Sequence, residues 1–150
     1  MKQFILSCCV LMCGIAGYGQ QTQLEKKDLY HHAKVQVKGG SENWDYLKEN
    51  NPALYHHAML LLKGNKENSR EYLEKNNPDL YHHALVKTKG GKDHWEYLEQ
   101  NNPALYHHAR VQLKGGKDSW EYLETNNQSL YHHARVLLKR DKDSWAYLEE

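Results

Sequence analysis

The sequence predicts an all-α chain, an α-solenoid built from five two-helix repeats of about 25 residues. Three observations predict it. Leu-Tyr-His-His-Ala recurs at Leu29, Leu54, Leu80, Leu105 and Leu130, at intervals of 25, 26, 25 and 25 residues. Each copy runs through a short polar turn, Lys-Gly in most units, into a second segment of the Trp-Glu-Tyr-Leu-Glu kind. An Asn-Asn junction, followed by Pro in most units and running as Trp95 to Pro103 in the third, then opens the next copy. The units span about 28–51, 52–77, 78–102, 103–127 and 128–150, after a lead-in over 20–27.

Residues 1–19 stand apart from this pattern. Met1-Lys2-Gln3 carries a positive charge, Phe4 to Ala16 is almost wholly apolar, and Gly17-Tyr18-Gly19 places small residues at alternate positions, which reads as a secretory signal peptide cleaved near Gly19. The apolar run is shorter than the roughly 20 residues that cross a bilayer as a helix. Cys8, Cys9 and Cys13 all lie in this segment, so the mature chain would form no disulfide. Val10-Leu11-Met12-Cys13 also resembles the lipobox of bacterial lipoproteins, with Met12 where that pattern has a small residue. The expected location is periplasmic or extracellular, with the membrane as a partner only if Cys13 is lipidated.

The first helix of a unit, such as Pro103 to Lys114, opens on Asn102 as its cap and a proline at the first helical position, whose missing N–H costs nothing there. It closes at Gly115, suited to a left-handed cap. At 100° per residue Leu105, Tyr106, Ala109 and Leu113 share one face. The second helix is expected to open on Asp118, with Glu121 at capping-box spacing, and to place Trp120 and Leu123 on one side. Helices this short nucleate poorly alone, so each pair must lean on its neighbours. The expected body is a right-handed, elongated, curved rod, with Arg140-Asp141 in the last unit as a C-terminal cap.

The Asn-Pro junction and the period of about 25 resemble those of short α-helical repeats, the leucine-rich repeat variant and, more distantly, the HEAT and Sel1 classes. That resemblance covers nearly all of the chain after residue 19, and it implies a scaffold that binds other macromolecules. The Leu-Tyr-His-His-Ala signature itself matches no named family.

Composition narrows the partners. Twenty Lys and Arg against nineteen Asp and Glu leave a net charge of +1, too little to hold nucleic acid or an anionic membrane by long-range attraction. Beyond Phe4 there is no phenylalanine, so every core aromatic carries a polar tip. Tyr30, Tyr55, Tyr81, Tyr106 and Tyr131 are candidates for a partner surface, together with two departures from the repeat: Arg70 where other units have Trp, and His94 in place of a Ser. Lys87, between Val86 and Thr88, makes the third first-helix more polar than the others.

The paired histidines are the sharpest feature: His31-His32, His56-His57, His82-His83, His107-His108 and His132-His133. Adjacent helical residues point about 100° apart, so one pair is not a chelate. Across neighbouring layers, the second His of one helix could meet the first His of the next, which would suit zinc, copper or nickel. The structural alternative packs one imidazole of each pair between layers and leaves the other solvated. If these groups are buried and neutral, the body should loosen between about pH 7 and 5.

No cofactor is firmly predicted. The Lys-Gly-Gly turns at 38–40, 89–91 and 114–116 lead into helix starts, and the carboxylates of Asp93, Asp118 and Asp143 at the second-helix starts oppose a phosphate. Catalysis needs different groups converging on one asymmetric centre, whereas this chain offers the same groups five times. The expectation is an exported, monomeric scaffold for a protein or peptide, not an enzyme. The alternatives are a metal-binding or metal-buffering protein and a glycan-binding module.

Overall fold

The computed structural model of the chain describes residues 24–64 and 67–150. The expected signal peptide of residues 1–19, with Cys8, Cys9 and the lipidation candidate Cys13, and residues 20–23 of the lead-in lie outside the described residues. Among the described residues there are ten helices and no strand: α1 (Lys26–Val37), α2 (Ser41–Asn50), α3 (Pro52–Lys63), α4 (Glu67–Asn76), α5 (Pro78–Thr88), α6 (Lys92–Asn101), α7 (Pro103–Leu113), α8 (Lys117–Asn126), α9 (Gln128–Lys139) and α10 (Lys142–Glu149). They form five hairpins, as the repeats require.

The Asn-Pro junctions act as expected. Asn51, Asn77 and Asn102 each accept a bond from the leucine amide three residues on at 3.1 Å, with proline at the first helical position. Gly115 has φ +69°, and its amide donates to the Arg110 carbonyl at 3.0 Å, closing α7 with a left-handed cap. The second helices start differently from expectation. Gly116, at φ +111°, turns the chain directly into α8, which begins at Lys117 without a side-chain cap. Asp118 therefore sits inside the first turn, where its charge faces the positive helix end.

The odd-numbered helices form an inner ring and the even-numbered helices an outer one. Each inner helix packs on the inner helix before and after it, and each outer helix packs on its own inner partner and on the next. Adjacent outer helices do not touch one another. The same rule continues across the chain ends: α1 packs against both α9 and α10. The expected rod is therefore corrected to a closed ring of five hairpins, turning about 72° per repeat. With α10 lying against α1, Arg140-Asp141 caps nothing. Arg140 takes φ +55° in place of a glycine, and Asp141 accepts bonds from Arg135 at 3.0 Å and Ser144 at 2.6 Å.

Closure also rotates the buried face of the first helices. Leu105 and Ala109 are buried as expected, joined by His108 and Val111, while Leu113 is 46% exposed and Tyr106 half-buried. An inner helix in a closed ring has inner neighbours on both sides and the axis in front. Its apolar stripe therefore centres on the axis and not on a single seam.

Candidate functional site

The second histidine of each pair points to the axis. His32 Nε2 lies 2.9 Å from His57 Nδ1, His57 Nε2 2.8 Å from His83 Nδ1, and His83 Nε2 3.0 Å from His108 Nδ1. His108 Nε2 lies 2.9 Å from His133 Nδ1, and His133 Nε2 returns to His32 Nδ1 at 3.0 Å. Five imidazoles thus close a hydrogen-bonded cycle. A neutral imidazole has one N–H and one acceptor nitrogen, and every link joins Nε2 to Nδ1. The cycle is satisfied only when all five carry the proton on the same kind of nitrogen.

All five are 1–2% exposed. Loss of hydration holds each far below the ordinary imidazole value, His32 at about 3, with Lys87 and the other imidazoles adding to the effect. Geometry reinforces this, because an imidazolium carries two N–H groups and would set one against a neighbour's N–H. Among the described residues no buried side-chain nitrogen or oxygen lacks a partner.

One turn beyond the cycle stand Gln36, Leu61, Lys87, Gln112 and Leu137. Gln36 Nε2 is 3.0 Å from His32 Nδ1, and Gln112 Nε2 is 2.9–3.0 Å from both nitrogens of His108. Lys87 donates to Gln112 Oε1 and is the one charge in this layer. Burial pushes its ammonium down to about 8. The spacing of four residues from the second histidine was the signal for these amides in the sequence.

The first histidine of each pair stays inside its own hairpin. His31, His56, His82, His107 and His132 stack on Tyr46, Tyr72, Tyr97, Tyr122 and Tyr147 with ring centroids 3.7–4.2 Å apart. Their Nδ1 atoms meet Asn43, Ser69, His94, Ser119 and Ser144 at 2.8–2.9 Å. His94 therefore takes the part of the serine it replaces.

The expected meeting of a second His with the first His of the next layer does not occur. Second histidines meet each other, and first histidines turn outward within the repeat. Imidazole centroids 5.0–5.1 Å apart around five members stand about 4.3 Å from the axis, so a nitrogen turned inward would stop about 3 Å from a central ion, against about 2.0–2.1 Å for a zinc–nitrogen bond. Among the described residues no group of three or more His, Cys, Asp or Glu side chains is placed to hold a metal ion.

The first tyrosines join repeats together. Tyr55, Tyr106 and Tyr131 meet Trp44, Trp95 and Trp120 of the preceding repeat edge to face at 5.7 Å, and Tyr30 meets Trp145 in the same way at 5.8 Å across the chain ends. Arg70, standing at the tryptophan position, donates to the Tyr81 hydroxyl at 3.3 Å, and Tyr81 is the most buried of the five. These contacts floor the grooves left between separated outer helices. One groove is lined by Lys92, Trp95, Glu96, Glu99, Tyr106, Arg110 and Lys114, and the next by the equivalent Lys117, Trp120, Glu121, Glu124, Tyr131, Arg135 and Lys139. Cations lie over the rings: Arg110 5.6 Å from Tyr106 and Lys114 5.0 Å from Trp95.

Among the described residues no helix is long and apolar enough to cross a membrane. In comparisons with known proteins, the chain matches no family model, no curated protein and no solved structure.

Proposed function

We propose that the ring is an exported scaffold that binds a protein or peptide partner in the grooves of its outer wall. The observation that carries this reading is the repetition of one groove: seven equivalent positions line the α6/α7 and α8/α9 grooves, each with a half-buried Trp–Tyr pair, two cations along the inner helix and two glutamates opposite. Aromatic anchors flanked by Arg are the side chains that carry most energy at protein interfaces. The tryptophan faces lie under lysines, which favours a peptide side chain and backbone over a sugar ring needing a bare aromatic platform. The axial histidines are buried and no histidine lines either groove, so the partner surface is the Trp, Tyr, cation and glutamate set.

Export rests on the leader pattern of residues 1–19, and a monomeric state rests on the ring completing every repeat interface within one chain.

Selection of peptides from a random displayed library against the folded protein tests the binding reading. It expects an enriched sequence class whose binding falls at least tenfold on Arg110→Ala combined with Arg135→Ala, at a melting temperature close to wild type. Absence of enrichment, or binding indifferent to both arginines, would overturn it.

A further inference from the structure

The net charge of +1 conceals a segregation that only the ring reveals. Because equivalent histidines bond at equivalent registers around the cycle, the inner helices all run in the same direction. Every turn from an inner to an outer helix therefore lies on one face of the ring, and every return lies on the other. On the turn face, the described residues from the four-residue last turn of each inner helix through the four-residue first turn of each outer helix hold thirteen Lys or Arg against six Asp or Glu. On the return face the balance inverts, with nine Asp or Glu against four Lys among the corresponding segments.

The turn face also carries the exposed large hydrophobics of the described residues: Leu62 at 45%, Leu113 at 46% and Leu138 at 46%. They occupy one register on three inner helices, so their tips lie at one height; the lysines that follow them turn over Trp44, Trp95 and Trp120, and the exposed cations of the turns themselves include Lys38, Lys89 and Lys142.

We propose that this face docks on an anionic lipid bilayer, the leucines entering the boundary between headgroups and acyl chains while the surrounding lysines meet the lipid phosphates. A flat apolar rim set within basic side chains suits an interface that is apolar in depth and negative at its surface. A second copy of the chain fits less well. Its acidic return face complements the lysines but, among the described residues, presents no exposed large hydrophobic to the leucines, and its turn face would set lysine against lysine. The docking draws on Lys38, Lys89 and Lys142, which are exposed and line neither outer groove, whereas Lys114 and Lys139 belong to the grooves on the wall of the ring.

The test is co-sedimentation of the full chain with vesicles of phosphatidylcholine alone or with phosphatidylglycerol. Wild type is compared with Leu62→Ser/Leu113→Ser/Leu138→Ser and with Lys38→Gln/Lys89→Gln/Lys142→Gln. All three proteins carry the same residues 1–23, so differences between them report the face. The expected result is binding to the phosphatidylglycerol vesicles that weakens with added salt and falls at least tenfold in each variant, with melting temperatures near that of wild type. Equal binding by wild type and variants would overturn the proposal. So would concentration-dependent self-association without vesicles that the leucine variant abolishes, which would assign the face to a second copy.

Discussion

His107 and His108 are neighbours in the chain and differ in almost every physical respect. His108 is 2% exposed and bonded through both ring nitrogens to imidazoles of two other repeats. His107 is half-buried, stacked on Tyr122 and bonded once, to Ser119 of its own hairpin. The same division holds in all five repeats. A step of 100° along the helix sends one imidazole into a closed cycle and the other into a local clasp. The cycle is a property of the whole ring, whereas each clasp belongs to one repeat, so their perturbation should have effects of different size and reach.

Acid separates the two sets most strongly. The axial imidazoles have folded values far below the ordinary 6.5, so the stability they confer is complete above about pH 6.5 and is lost as the pH falls toward their folded values, about 3 for His32. Each such group weakens the fold by about 1.4 kcal/mol per pH unit in that window, and five together by about 7 kcal/mol per unit. A domain of ordinary stability should then unfold cooperatively between about pH 6 and 5. Circular dichroism would follow this, and potentiometry should find several protons taken up in one transition. A melting temperature that stays level from pH 7 to 5 would contradict a neutral, buried cycle.

Breaking the cycle by mutation should come next. His83→Leu leaves His57 Nε2 without a partner and His108 Nδ1 with Gln112 alone, and should cost about 3–5 kcal/mol in denaturant melts. His133→Leu sharpens the comparison, because it touches the link between chain ends. In a closed ring it should cost about 2–3 kcal/mol, less than His83→Leu because Gln112 and Gln36 keep His108 Nε2 and His32 Nδ1 partnered, whereas in an open stack only the bond to His108 would be lost and the cost would be about 1 kcal/mol. His107→Leu, which removes one stack and one bond to Ser119, should cost only about 1–2 kcal/mol and leave the acid transition in place. The smallest effect is expected at Arg140, the non-glycine residue with positive φ. Arg140→Gly should stabilise the fold by about 0.5 kcal/mol, visible as a slightly higher melting temperature.

Much of the local structure was legible in the residues. Asn102-Pro103 set a helix start, Gly115 a helix end, and the 25-residue recurrence of Leu-Tyr-His-His-Ala the number of hairpins. The persistence of both imidazoles marked them as residues with work to do. Their partners were not legible, because a neighbour in the next repeat is reached only once helices have a definite tilt and spacing. The second helix start was misread at Asp118 because a capping-box spacing looks the same whether the turn before it is made by an aspartate cap or by a Gly-Gly pair. Leu113 was placed in the core by its angle on the helix, an angle that cannot say where the axis of a ring will stand. Arg70 and His94 stood out as exceptions, and both proved to fill the parts of the residues they replace.

The amino-acid order by itself determined that the described chain is helical, that it repeats five times and that each repeat must bury its face on another. Only the tertiary structure decided that the fifth repeat finds the first. Stacking is dictated by contacts between neighbours, which the repeated motif encodes. Closure depends on a small rotation per repeat accumulating to a full turn, and no single motif carries that sum. The imidazole cycle exists because the sum comes out right at five: at an open end His133 Nε2 would face nothing and His32 Nδ1 only Gln36.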